Sequence, residues 1–188
     1  LVSMGQGEPF QNYQATLEAL RFANAKDGLE IGARHITVST CGIIQGIENL
    51  ANEPEQFTLA VSLHSALQDV RNQIMPRCSN IPLPHLKKAL QSYVEKTGRR
   101  VSFEYLLIKG VTDTEENLAA LIDFCNGLLC HVNLLSVNEV EGSPYKPSST
   151  ATQQRWVREL KSAGKEATIR NSRGSDIDGA CGQLKNKM

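Results

Sequence analysis

The sequence has no excess of charge of either sign: 20 Lys and Arg stand against 20 Asp and Glu in 188 residues. Bulk charge therefore gives no argument for a polyanionic partner, and a local basic patch would have to attract one. No apolar stretch approaches the roughly 18 residues of a membrane-spanning helix, so no membrane partner is expected. The 14 glycines have no period, which excludes a collagen-like chain. No internal repeat and no low-complexity tract is present. Hydrophobic residues make up 40% of the chain, too many at zero net charge for global disorder. The length suits one domain with a sizeable core. Leu1-Val-Ser-Met-Gly5 lacks the charged and apolar regions of a secretory leader, and no Met stands at position 1. A piece of a longer cytoplasmic protein is expected.

The familiar catalytic signatures are missing too: no P-loop, GxSxG, HExxH or GxGxxG. No cysteine pair has CxxC spacing, and the five cysteines, Cys41, Cys78, Cys125, Cys130 and Cys181, are odd in number. Free thiols in a reducing compartment are the expectation, with no metal site. Cys41 and Cys130 sit among apolar or small neighbours and read as small buried hydrophobes. Cys181 lies between Gly179 and Gly182 near the C-terminus. It reads either as an exposed accident of a frayed end or as a thiol that can be reached and can move. Asp176 and Asp178, with no further ligand nearby, read as a solvated acidic stretch.

What is present is alternation. Short β-branched runs at Leu1–Met4, 36–40, 57–63, 100–108, 131–137 and 167–170 read as strands. Between them, apolar spacing predicts helices over 13–25, 43–51, 68–75, 84–96, 114–126 and 150–163. Pro76 is expected to end the third helix, and Asp113 with Glu116 resembles a capping box for the fifth. Residues 171–188 read as a Gly-rich polar tail. Strand–helix alternation predicts an α/β fold with a parallel sheet. Ligands of such sheets bind at the carboxyl ends of the strands. Those ends carry Gly7-Glu-Pro9, Ser39-Thr40, Ser62-Leu63-His64 and Asn138, and the fourth strand carries Glu104 within it. Gly7 lets the backbone approach closely, and Glu8 with nearby carbonyls suits an ammonium group. Ser39, Ser62 and Asn138 suit ribose hydroxyls or a carboxylate. His64 can donate or accept, and it also reads as a core histidine bonded to a backbone group. The set suits a small, zwitterionic, sugar-containing ligand.

Several segments together carry a family resemblance. They are Met4-Gly-Gln-Gly-Glu-Pro9, Ala33-Arg-His-Ile-Thr-Val-Ser-Thr40, Leu59-Ala-Val-Ser-Leu-His64, Phe103-Glu-Tyr105, His131-Val-Asn-Leu134, Glu141-Gly-Ser-Pro-Tyr145 and Arg173-Gly-Ser-Asp-Ile-Asp-Gly-Ala-Cys-Gly-Gln-Leu184. The chain resembles the radical S-adenosylmethionine (SAM) methyltransferases that modify adenine in RNA. One branch methylates adenine carbon 2 in 23S rRNA and in certain tRNAs; a related resistance branch methylates carbon 8 of the same rRNA adenine. The resemblance implies a partial (β/α)6 barrel lacking its first strand over 1–170, with residues 171–188 as a functional tail. It implies SAM contacts at Gly7, Glu8, Ser39, Ser62, Leu63, His64 and Asn138. It implies that Cys181 carries the methyl group covalently on its way to rRNA or tRNA. It also implies a 4Fe–4S cluster, held in the family by CxxxCxxC, a motif this chain does not contain. The isolated chain is therefore expected to lack redox catalysis. Gln6, Glu139, Asn171 and Ser175 depart from the family's usual residues. From another class, the alternatives are a non-catalytic module binding RNA phosphates through Arg170, Arg173, Lys185 and Lys187, or a SAM- or nucleotide-binding half-barrel. A thiol between glycines favours the enzyme.

Overall fold

The computed structural model describes residues 1–138 and 143–170. Six strands, β1 (Val2–Ser3), β2 (Thr37–Thr40), β3 (Thr58–Ser62), β4 (Val101–Leu107), β5 (Cys130–Ser136) and β6 (Glu166–Arg170), form one sheet. They lie in sequence order, and every pairing is parallel. Six helices separate them: α1 (Tyr13–Asn24), α2 (Ile44–Leu50), α3 (Gln68–Ile74), α4 (Leu83–Thr97), α5 (Glu115–Phe124) and α6 (Thr150–Ser162). The expected alternation is there, with shifts of a residue or two at the ends.

The register sorts the sheet into two faces. Val61, Phe103, Val132 and Ala167 share one row, and all are essentially sealed from water. They face a core formed with Leu17 and Leu20 of α1, Ile47 and Leu50 of α2, and Leu86 and Leu90 of α4. Leu121 of α5 and Trp156 of α6 complete it. Burial of each such side chain is worth about 1.5–3 kcal/mol. Local signals fix the helix ends. α4 stops where Gly98 adopts φ 63 and returns its N–H to the Val94 carbonyl. α6 begins where Ser149 Oγ accepts the Thr152 N–H at 3.1 Å.

The opposite face is polar. Ser62, Glu104, Asn133 and Thr168 lie side by side in one row, and Ser102 and His131 in the next. The sheet is also curled. A flat six-stranded sheet would hold its edges about 24 Å apart, further than an Arg and a Met side chain reach together. Yet Arg170 Nη1, at the end of β6, lies 3.5 Å from the Met4 thioether just beyond β1. The polar face is thus the concave inside of an incomplete barrel.

One local expectation is corrected. The N-cap of α5 is Thr114, whose hydroxyl accepts the Asn117 N–H. The Asp113 carboxylate is occupied elsewhere, accepting from Gly110 N at 2.7 Å and from Ser148 Oγ at 2.5 Å. α3 ends at Ile74, and Pro76 opens a short 3-10 turn, Pro76–Cys78. Similar turns at Pro9–Asn12 and Ala33–His35 had no sequence expectation.

Candidate ligand site at the strand ends

The loop after β1 is tied to the end of β2 by Glu8. Its Oε1 accepts from the Phe10 N–H at 3.0 Å and from Thr40 Oγ1 at 2.8 Å. Its Oε2 accepts from the Cys41 N–H at 2.7 Å. Thr40 Oγ1 in turn accepts from the N–H groups of Gly42 and Ile43, at 3.0 and 3.2 Å. Three of the roughly four acceptor positions of the Glu8 carboxylate are therefore filled from within the chain. Glu8 builds the loop first, and one acceptor position on Oε2 is left for an ammonium group. Gly7, at φ 100, is in a region that L side chains rarely adopt, which sets the turn before Glu8.

Under this loop lies Arg71, which sequence reasoning missed. It is fully buried on α3, and no carboxylate pairs with it among the described residues. It donates to the carbonyls of Cys41 at 2.5 Å, Leu63 at 3.2 Å and Cys78 at 3.4 Å. Burial lowers its pKa. One guanidinium thus gathers the ends of β2 and β3 and the 3-10 turn after α3. Burial pushes the thiol of half-buried Cys41 up, with Cys78 and Glu8 adding to the shift, so it stays protonated. Cys130 is buried as expected; Cys41 is only partly so.

The end of β3 is irregular in a way that presents His64. The N–H groups of Leu63 and His64 both donate to the Glu104 carbonyl, at 3.1 and 3.2 Å. His64 sits at φ 57, an uncommon region for a residue with a Cβ. Its Nδ1 accepts the Leu106 N–H at 3.2 Å, so in the neutral ring the proton is on Nε2, ready to donate. Desolvation, with the Arg71 charge beside it, pushes the pKa down to about 4, so the ring is neutral at pH 7. Leu63 is different. Its side chain is fully buried, and both its N–H and C=O are engaged. It has position to contribute but no side-chain contact.

Ser39 and Ser62 lie half-buried on the polar face, each a strand-end hydroxyl. Asn138 follows β5 at the same end, also half-buried. Gly7, Glu8, Ser39, Ser62, His64 and Asn138 thus gather at one end of one sheet. Cys181, with all of 171–188, and Glu139 lie outside the described residues. No cluster of three or more His, Cys, Asp or Glu side chains suited to a metal exists among the described residues.

No protein-family model matches the chain. It is 44% identical over 185 residues to the probable dual-specificity RNA methyltransferase RlmN of Clostridium perfringens (strain SM101), covering 98% of this chain and 53% of that protein. The corresponding protein of Thermoanaerobacter sp. (strain X514) is 43% identical over 187 residues, covering 100% of this chain and 55% of that one. A radical SAM methyltransferase of known structure from Sphaerobacter thermophilus superposes with a TM-score of 0.93 at 46% identity, covering 97% of this chain and 53% of that one. A domain of a pyruvate-formate lyase-activating enzyme from Bacteroides vulgatus shares the fold alone, with a TM-score of 0.69 at 19% identity. The chain spans about half the length of the curated relatives it matches.

Proposed function

Because this chain is, over essentially its whole length, a relative of the radical SAM RNA methyltransferases, we propose that it supplies the SAM-binding and methyl-carrying part of such an enzyme, acting on adenine in 23S rRNA and tRNA. The observation that carries the reading is the row of hydrogen-bonding groups at the strand ends, set on a concave polar face. SAM fits that set: its ammonium group suits the free position on Glu8 Oε2, and its hydroxyls and carboxylate suit Ser39, Ser62 and Asn138. His64, neutral with a donor on Nε2, adds one donor without adding charge. Gly7 allows the loop to approach the ligand closely.

Residues 171–188 form the second functional unit in this reading. Cys181 receives a methyl group from one SAM: a new bond from sulfur to carbon forms as the carbon–sulfonium bond breaks, S-adenosylhomocysteine leaves, and the thiol gives up its proton. The glycines on either side let the thiol reach both SAM and RNA. A 4Fe–4S cluster does not fit this chain, because none of its five cysteines has the family's spacing. No redox step is assigned to these residues.

No helix among the described residues is long and apolar enough to cross a membrane. RNA substrates of this kind belong to the cytoplasm. Two measurements test the reading. Calorimetric titration of SAM into the 188-residue chain is expected to give saturable, single-site binding. In the protein isolated from its source, mass spectrometry of the Cys181 peptide is expected to show a methyl group that is lost in Cys181→Ala, along with methyl transfer to RNA. A Cys181→Ala protein that still methylates RNA refutes the carrier role. A chain that does not bind SAM refutes the site.

A further inference from the structure

We infer that Glu104 is a further ligand-binding residue: its Oε2 accepts a hydrogen bond from a donor group of the bound SAM. The inference rests on the SAM reading above and adds a residue to it. Glu104 lies in the middle of β4, is only 5% exposed, and stands on the concave polar face. Its neighbours across the sheet are Ser62, one of the strand-end hydroxyls, and Asn133.

The two oxygens of this carboxylate are treated differently. Oε1 accepts from Asn133 Nδ2 at 2.8 Å. Asn133 Nδ2 also donates to Ser102 Oγ at 3.0 Å, and its Oδ1 accepts from Thr168 Oγ1 at 3.1 Å. These contacts fix the plane of the Glu104 carboxylate. Oε2 is buried with no hydrogen-bond partner among the described residues. Among the described residues the one cation within ion-pair distance is Arg170, whose Nη1 is 3.7 Å away, too far for a hydrogen bond. Its side chain is half exposed and bonded otherwise only to the weak acceptor Met4 Sδ, so little holds it in place. A buried carboxylate oxygen without a donor is costly, and a fold keeps one where a ligand supplies the donor.

The comparison with Glu8 sharpens the assignment. Glu8 spends three acceptor positions on its own loop. Glu104 keeps a whole oxygen open, beside Ser62. SAM offers two kinds of donor at that place, its ammonium group and its ribose hydroxyls.

Calorimetric titration of the 188-residue chain with SAM and with methylthioadenosine separates them, because the latter keeps the ribose but lacks the ammonium group. Glu104→Gln retains the shape and a carbonyl for Asn133, and removes the charge. It is expected to weaken SAM binding about 10- to 100-fold, the loss of one charge-assisted hydrogen bond. Weakening for SAM alone identifies the ammonium group; weakening for both ligands identifies the ribose. Urea unfolding of the ligand-free variant checks that it folds. If it does not, Glu104→Asp, which keeps the charge but draws it back by one methylene, is held to the same outcomes. Wild-type affinity for both ligands in a folded variant overturns this inference and leaves the SAM site standing. A wild-type chain that binds neither ligand overturns both.

Discussion

Replacing Gly46 by Ala should destabilise this protein, although a glycine inside a helix ordinarily costs stability. Gly46 lies within α2 and faces the Phe10 ring. A Cβ at this position would sit 2.3 Å from Phe10 Cγ, 2.4 Å from Cδ2 and 2.5 Å from Cβ. Carbon atoms in contact prefer about 3.5–4.0 Å, so the ring or the helix must retreat by more than about 1 Å. Phe10 has little room to do so, being only 6% exposed and packed against Tyr13 with ring centroids 5.7 Å apart. Overpacking of this kind costs about 1–3 kcal/mol, and full expulsion of a Phe side chain about 3–5. Against that stands the helix preference for Ala over Gly, about 1 kcal/mol. The expected net loss is about 0–2 kcal/mol if the ring shifts and about 2–4 kcal/mol if it is expelled.

The same argument gives a reversal of sign. In a Phe10→Gly background the ring and its Cβ, the three atoms the new methyl group would strike, are gone, and Gly46→Ala should then stabilise by up to about 1 kcal/mol. A double-mutant cycle in urea, followed by circular dichroism, measures the coupling, expected at about 2 kcal/mol or more. SAM titration adds a functional readout. The Phe10 N–H is one of the donors that hold Glu8, so a displaced Phe10 loosens the loop and weakens the ligand. If Gly46→Ala stabilises the wild-type chain, the close approach of α2 and Phe10 is wrong and the reasoning fails.

Thr40→Val keeps the shape of a residue that is 1% exposed but removes an oxygen that makes three hydrogen bonds. It should cost about 2–3 kcal/mol in urea unfolding and weaken SAM, and a cost below about 0.5 would mean that the Glu8–Thr40 tie is not structural. His64 makes stability depend on pH. Its pKa is about 4 in the folded chain, below the usual value of 6.5, so the unfolded chain takes up the proton first. The stabilisation is complete above about pH 6.5, declines as the pH falls toward about 4 and levels off below; the full loss is up to about 3 kcal/mol. Unfolding free energies measured across that window should fall less steeply with acid in His64→Gln; equal slopes would refute the shift.

The sequence made the strands easy to find, because Thr37-Val-Ser-Thr40 and Val101-Ser-Phe-Glu-Tyr105 alternate with period two. Ser39 and Ser62 were legible as polar groups at strand ends, and the register places them with Glu104 on the face away from the core. What stayed hidden depends on partners distant in the chain. Asp113 and Thr114 are both good capping residues, and the choice between them turns on Ser148, which takes the Asp113 carboxylate from 35 residues away. Arg71 reads as an ordinary surface residue of an amphipathic helix. Only the convergence of three carbonyls from β2, β3 and a 3-10 turn shows why it is buried. Glu8 was legible as a strand-end carboxylate. Its three internal donors were not, since two come from Thr40 and Cys41.

The polar face limits what can occupy the concave side. Parallel sheets are normally covered on both faces, and their strands then read as nearly continuous apolar runs. Here one face is covered by α1, α2, α4, α5 and α6, and the other carries Ser62, Glu104, Asn133 and Thr168 across four adjacent strands. An apolar ligand there would strand these groups without water, at about 1–3 kcal/mol for each one left unpaired. A ligand that stabilises this face must bring hydrogen-bond donors and acceptors of its own, spaced to meet polar groups on strands about 4.8 Å apart. A sugar joined to an amino acid meets that demand, carrying a diol for the polar row and an ammonium group for a carboxylate. The Arg170–Met4 contact shows that the two edges of the sheet curl toward each other around this face. A preference for polar over apolar occupants thus follows from the sheet's alternation before any single residue is considered.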